Sequence, residues 1–281
     1  MDNLYFNVLP EDCVSTILSL TSAKDTCHSA LVSSIFRSAA DSDVVWESFL
    51  PSEYQYIVSK SVSPILFSSK KELYFRLQDP TLIDDGRKMF SLEPLSGKIS
   101  YMLSAREISI AGSEDPMQWS WISVPESRFS NVVQLKSASR LEIQGKIKTQ
   151  SLSPRTTYVA YLVMKFTDCV YGLDSLPSEL SIEVGNKEVS RNTAYLRQND
   201  SKKQWLEQLY YSNRVQMMRS RVKEGEERIA KERKDGWMEV EMGEFFTSGS
   251  ECEVKMSLME VKGSQLKGGL VIEGIEVRPK L

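Results

Sequence analysis

The chain has 281 residues and a mass of 32.0 kDa, room for one large domain or two smaller ones at about 100–200 residues per domain. Hydrophobic residues make up 41%, charged residues 26% and aromatic residues 9%, which excludes a disordered, collagenous or coiled-coil chain and predicts a real core. A net charge of −3 with a pI near 5.5 supplies no basic field for a phosphate backbone, so nucleic acid is not an expected partner.

No run approaches the roughly 18 apolar residues of a membrane-spanning helix, so no membrane partner is expected. The first residues, with Asp2, Glu11 and Asp12 among few apolar positions, do not form a basic-then-apolar leader. The expected location is the cytoplasm, with the nucleus as a second compartment.

Up to about Pro80 the pattern is helical. Pro10 suits a first helical position, Glu11 and Asp12 put negative charge at a helix N-terminus, and Val14, Ile17 and Leu18 recur at helical spacing. Ser22 with Asp25 is a second N-cap signal, after which Ala30, Leu31, Ile35 and Phe36 are expected on one apolar stripe. Val44, Val45, Trp46, Phe49 and Leu50 close the segment before Pro51, leaving more apolar surface than three short helices cover by themselves. Residues 51–95 read as a helical connector, with Ser68-Ser69 ahead of Lys70 and a break at Asp79-Pro80.

From Gly97 the period falls to two. Glu107–Ile110, Leu141–Ile143, Leu180–Val184, Met238–Met242 and Val254–Leu258 alternate as half-buried strands, and Tyr158–Phe166 is apolar enough for a central strand. Short strands punctuated by turns predict an antiparallel β-sandwich or jelly roll, so the fold class is α+β with a helical first domain. Arg214–Lys234, dense in both charges with Glu224/Arg228 and Glu227/Lys231 at i, i+4 spacing, reads as a solvated insertion.

Little here is catalytic. Cys13, Cys27, Cys169 and Cys252 form no C-x-x-C pair and read as small core residues, and the single histidine, His28, reads as a helix-surface imidazole. Phosphate-binding loops and nucleophile elbows are missing, and nothing among the 38 acidic residues marks a glycosidase pair. No enzyme activity, metal or cofactor is expected.

The series Leu9-Pro10-Glu11-Asp12, Val14, Ile17-Leu18-Ser19-Leu20, Leu31-Val32-Ser33, Phe36-Arg37 and Trp46 resembles the F-box. That resemblance implies docking onto the Skp-type adaptor of a cullin-RING ubiquitin ligase through Leu9, Pro10, Ile17, Leu18, Leu31, Val32 and Trp46, within residues 1–50. It accounts for the apolar surplus.

Residues 96–281 resemble the phloem protein 2 family, the plant lectins related to the tobacco agglutinin Nictaba. The resemblance is carried by Tyr101–Ile110, Pro116–Trp121, Gly236–Phe246, Met259–Gly263 and Lys267–Pro279. It implies a sandwich that binds N-glycans or glycoproteins. In that family a tryptophan follows the Ala-Arg-Glu/Asp strand, and a second lies in Pro-x-x-Trp-x-Trp. Here the first position is Gly112 and the second is Trp119. Losing one ring from a sugar site forfeits on the order of 1–3 kcal/mol. Trp119 is then either the remaining sugar contact or packing, and Trp121 is expected in the core. The two resemblances together imply a substrate receptor of the ligase; the alternative is a carbohydrate- or protein-binding module without ligase recruitment.

Overall fold

The computed structural model describes residues 9–173, 176–196, 227–260 and 265–280, without the side chain of Glu227. Packing divides the chain into two units, Met1–Asp85 with Met89–Ser100 and Gly86–Lys88 with Tyr101–Leu281.

Capping chemistry sets the helices of the first unit. Pro10 is the residue before helix α1 (Glu11–Ser19) rather than its first turn, and Glu11 and Asp12 face the positive helix end. Ser22 accepts from the Asp25 N–H at 3.1 Å to open α2 (Ala23–Ser29), and Ser33 accepts from the Phe36 N–H at 3.4 Å to open α3 (Ser34–Asp41). α4 (Asp43–Phe49), α5 (Tyr54–Lys60) and α6 (Lys70–Arg76) follow, and Ser69 caps α6 through the Glu72 N–H at 3.1 Å. Val14, Leu18, Ala39, Ala40, Val45 and Trp46 form the core of the first four helices. Strands β1 (Thr81–Ile83) and β2 (Lys88–Leu92) come next.

Two sequence expectations change here. Four helices, not three, precede Pro51. The stripe expected from Ala30 to Phe36 does not form, because α2 stops at Ser29 and the turn that precedes α3 carries Leu31 and Val32 outward.

The second unit is a pair of sheets. Its strands are β3 (Ile99–Ser104), β4 (Ser109–Ile110), β5 (Trp119–Ile122), β6 (Val132–Leu135), β7 (Leu141–Lys148), β8 (Thr156–Tyr171), β9 (Ser178–Val184), β10 (Lys187–Tyr195), β11 (Glu227–Ile229), β12 (Lys231–Glu232), β13 (Met238–Thr247), β14 (Glu253–Glu260) and β15 (Gly268–Pro279). One sheet runs β3-β15-β8-β13-β12, with β6 beside the first half of β15 and β5 outside β6. The other runs β11-β10-β9-β14-β7-β4. Neighbours are antiparallel except β10 and β11.

The period-two pattern explains the layering. On β7, Leu141, Ile143 and Ile147 turn inward while Glu142, Lys146 and Lys148 stay wet. The inner faces approach so closely that a Cβ on Gly145 of β7 would lie 2.9 Å from Cδ1 of Ile275 on β15. β8 lies between β13 and β15, which is why Tyr158–Phe166 reads as nearly continuous apolar sequence.

Three further expectations are corrected. None of the four cysteines is buried: Cys13 and Cys169 are exposed, and Cys27 and Cys252 are half-buried. Glu107–Ile110 supplies only the two-residue strand β4, because Ala105 to Glu107 is a turn. The charged segment lies outside the described residues up to 226, Glu224 included; from Glu227 the chain is strand rather than helix, and Arg228 pairs with Glu241 at 3.2 Å.

Candidate functional site

Helices α1 to α4 bury one side of their apolar residues and leave another open. Leu20, Leu31, Val32 and Val44 are each at least 69% exposed and Ile17 is 49% exposed, far more apolar surface than a short helical segment ordinarily leaves wet. Pro10 is exposed and Leu9 half-buried at the start of α1.

Leu18 and Trp46 lie elsewhere, which corrects their assignment as direct adaptor contacts. Successive residues point about 100° apart on a helix, so Leu18 faces inward where Ile17 faces out. Trp46 donates its ring N–H to the Ala40 carbonyl at 2.6 Å and packs against Phe49, Tyr74 and Phe75. Both support the face rather than form it. Leu20 and Val44 belong to the exposed set and were missed by motif spacing; the signal for them was the apolar surplus itself.

In the sandwich, the chain leaves β4 through a tight turn and re-enters as β5. Gly112 sits at φ +74°, a conformation that glycine adopts cheaply, and a Cβ there would lie 2.9 Å from Oε1 of Gln118. Asp115 ties the turn together: its carboxylate accepts from the Met117 N–H and the Gln118 amide, both at 2.9 Å, and these bonds hold its pKa below the usual carboxylate value. Gly112 therefore answers a backbone requirement of the turn.

The turn aims Trp119 inward. Its ring is 2% exposed and its N–H donates to the Ala111 carbonyl at 3.1 Å, so neither ring face meets solvent. Trp121, expected in the core, is half-buried instead, and the guanidinium of Arg106 lies 3.5 Å above its ring centroid. Trp119 is thus packed, one of the two readings that sequence left open for it, and Trp121 is less buried than expected.

A buried carboxylate that the sequence reading missed fixes the loop after β5. Glu273 of β15 is inaccessible to solvent; it accepts from the Arg128 N–H at 2.7 Å and from the Ser127 hydroxyl at 3.1 Å, and it pairs with the Arg128 guanidinium at 2.5 Å. Arg128 also pairs with Asp235. Burial raises the Glu273 pKa against these stabilising contacts. Its only trace in the sequence is a charge interrupting the apolar run Leu270–Ile275.

Among the described residues no group of three His, Cys, Asp or Glu is placed to hold a metal ion, and no helix is long and apolar enough to cross a membrane. His28 is exposed in the last turn of α2.

A helical box with an uncovered apolar face, followed in the chain by an antiparallel β-sandwich, defines a two-module protein of the α+β class. Residues 6–48 match the F-box domain and residues 98–279 match Phloem protein 2. Three Arabidopsis thaliana proteins are similar over almost their whole length: F-box protein PP2-B15 is 54% identical, covering 97% of this chain and 96% of that protein. F-box protein PP2-B13 is 52% identical, covering 97% and 98%, and F-box protein VBF is 50% identical, covering 97% and 99%. The chain belongs to this family of F-box proteins with a phloem protein 2 domain.

Proposed function

We propose that this protein is the substrate receptor of a Skp-adaptor, cullin-RING ubiquitin ligase. The helical box is the adaptor-binding module and the sandwich captures a protein target. The observation that carries the reading is the set Ile17, Leu20, Leu31, Val32 and Val44, apolar and exposed within a segment that matches the F-box domain. A partner that covers such side chains gains hydrophobic burial at roughly 25 cal/mol per Å². Leu9 and Pro10 lie at the start of the same helix.

Polypeptide suits the sandwich better than sugar. A glycan is gripped by an open aromatic face. Trp119 is enclosed, Gly112 is a turn residue, and one face of Trp121 is taken by Arg106.

Pull-down of a Skp-type adaptor by the full-length chain tests the reading. Wild type retains the adaptor, and Ile17→Asp combined with Val32→Asp abolishes retention while thermal unfolding stays near that of wild type, since both side chains are already wet. Truncating Leu9 and Pro10 to Ala weakens retention as well, a buried anchor being worth about 2 kcal/mol. Undiminished retention by the double Asp variant defeats the proposal.

A further inference from the structure

We infer that the outer edge of β5, with Arg106 beside it, binds an extended acidic segment of a polypeptide. This deepens the receptor reading, on which it rests, by naming what the sandwich recognises.

Among the described residues β5 is paired on one side alone, with β6. The Gln118 carbonyl accepts from the Lys136 N–H at 2.8 Å, and the register continues as Ser120 opposite Gln134 and Ile122 opposite Val132. In an antiparallel ladder, directly opposed residues alternate between bonded and non-bonded pairs. The backbone groups of Ser120 and Ile122 therefore point toward β6, and those of Trp119 and Trp121 point away from it. The Trp119 N–H is taken within the turn by the Asp115 carbonyl at 2.9 Å, which leaves Trp121 as the residue of β5 to receive a partner strand. The N–H and carbonyl of Trp121 face the open edge, the pair of groups to which an added strand binds.

Arg106 supplies the charge selectivity. It is exposed, and among the described residues it makes neither an ion pair nor a hydrogen bond, whereas its neighbour Glu107 is paired with Lys88 at 3.2 Å. Stacking on Trp121 holds the guanidinium plane and leaves its N–H donors directed along that plane, the arrangement that grips a carboxylate with two parallel bonds. A glycan ring has no strand to add, and it would have to displace Arg106 to stack on the indole face that the guanidinium covers. An extended peptide uses both features at once: its backbone pairs with Trp121, and an Asp or Glu side chain meets Arg106.

The test uses the full-length chain and immobilised seven-residue peptide libraries, randomised except at a central position fixed as Asp, Glu, Asn, Gln or Lys. The expected result is about tenfold stronger retention on the Asp and Glu libraries than on Asn and Gln, lost in Arg106→Gln and reversed toward Lys in Arg106→Glu. Thermal unfolding of both variants should match wild type, because Arg106 is exposed. Absence of acidic selectivity in wild type overturns the inference, as does its survival in Arg106→Gln, or retention on uronate-bearing glycans in place of peptides. Adaptor pull-down run on the same preparations keeps the two proposals apart: it tests the helical box alone, and neither Arg106 variant should change it.

Discussion

The ring nitrogen of Trp119 donates to the carbonyl of Ala111 at 3.1 Å, so the side chain that the lectin resemblance would offer to sugar instead pins its own turn to the sandwich. The ring sits where β5 begins, and the four residues of β5 pair one for one with the four of β6. A buried indole is packing first, whatever its ancestry.

Trp119→Ala should therefore cost about 3–5 kcal/mol, the range for removing a large buried aromatic side chain, as measured by denaturant unfolding of the full chain. Trp119→Phe should cost less, losing the hydrogen bond and part of the volume. An alanine variant as stable as wild type shows that the ring is not core.

Gly112 makes the complementary case. At φ +74° a residue with a Cβ meets a backbone penalty of about 1–2 kcal/mol, and its Cβ also meets the Gln118 amide, which would have to leave Asp115. Gly112→Ala should lower the unfolding midpoint and Gly112→Asn should lower it less, since asparagine tolerates this region. Gly112→Trp, the change that restores the aromatic residue of the lectin pattern, should destabilise the turn rather than strengthen retention on N-acetylglucosamine oligomers. Increased sugar retention by that variant would show that the loop accepts the ring.

Much of this architecture is legible in the sequence, for local reasons. Ser22, Ser33 and Ser69 cap helices through bonds made within three residues, and β7, β9 and β14 alternate because each has one wet face. What is not legible depends on distant segments. Trp119 and Trp121 share one side of an alternating strand, yet Trp119 is buried and Trp121 half-buried with Arg106 over its ring, a contact from the turn before β4 that strand periodicity does not encode. Leu31 reads as part of one apolar stripe with Ala30, Ile35 and Phe36 until the stop of α2 at Ser29 turns it outward. Glu273 carries no motif, since its partners Ser127 and Arg128 lie 146 and 145 residues away.

Two classes of substitution in the helical box should separate cleanly. Trp46→Ala removes a ring packed against Phe49, Tyr74 and Phe75 and should cost about 3–5 kcal/mol, so adaptor binding falls together with folding. Val32→Asp acts at an exposed position and should leave the unfolding free energy within about 0.5 kcal/mol of wild type while weakening the adaptor complex. Paired measurement of thermal unfolding and adaptor retention checks this. Loss of stability in Val32→Asp would place that side chain in the core.

The start of α6 provides a pH dependence of defined sign. The Glu72 carboxylate accepts from the N–H and hydroxyl of Ser68, both at 2.8 Å, and from Arg76 at 3.1 Å, which lowers its pKa to about 2 from an ordinary 4.5. The folded state thus holds the ionised form more firmly than the unfolded state does. The stabilisation is complete above about pH 4.5 and is lost as the pH falls from there toward 2, where the folded carboxyl takes up its proton. Glu72→Gln abolishes the ionisable group, so wild type and variant should differ in stability near pH 7 and converge on acidification through that window. Because the group is exposed, salt should shrink the Arg76 share of the difference and leave the Ser68 bonds. Unfolding midpoints of both proteins between pH 7 and 2.5 decide the matter: a constant gap means that Glu72 acts through helix propensity alone, and a gap that widens in acid contradicts the assigned sign.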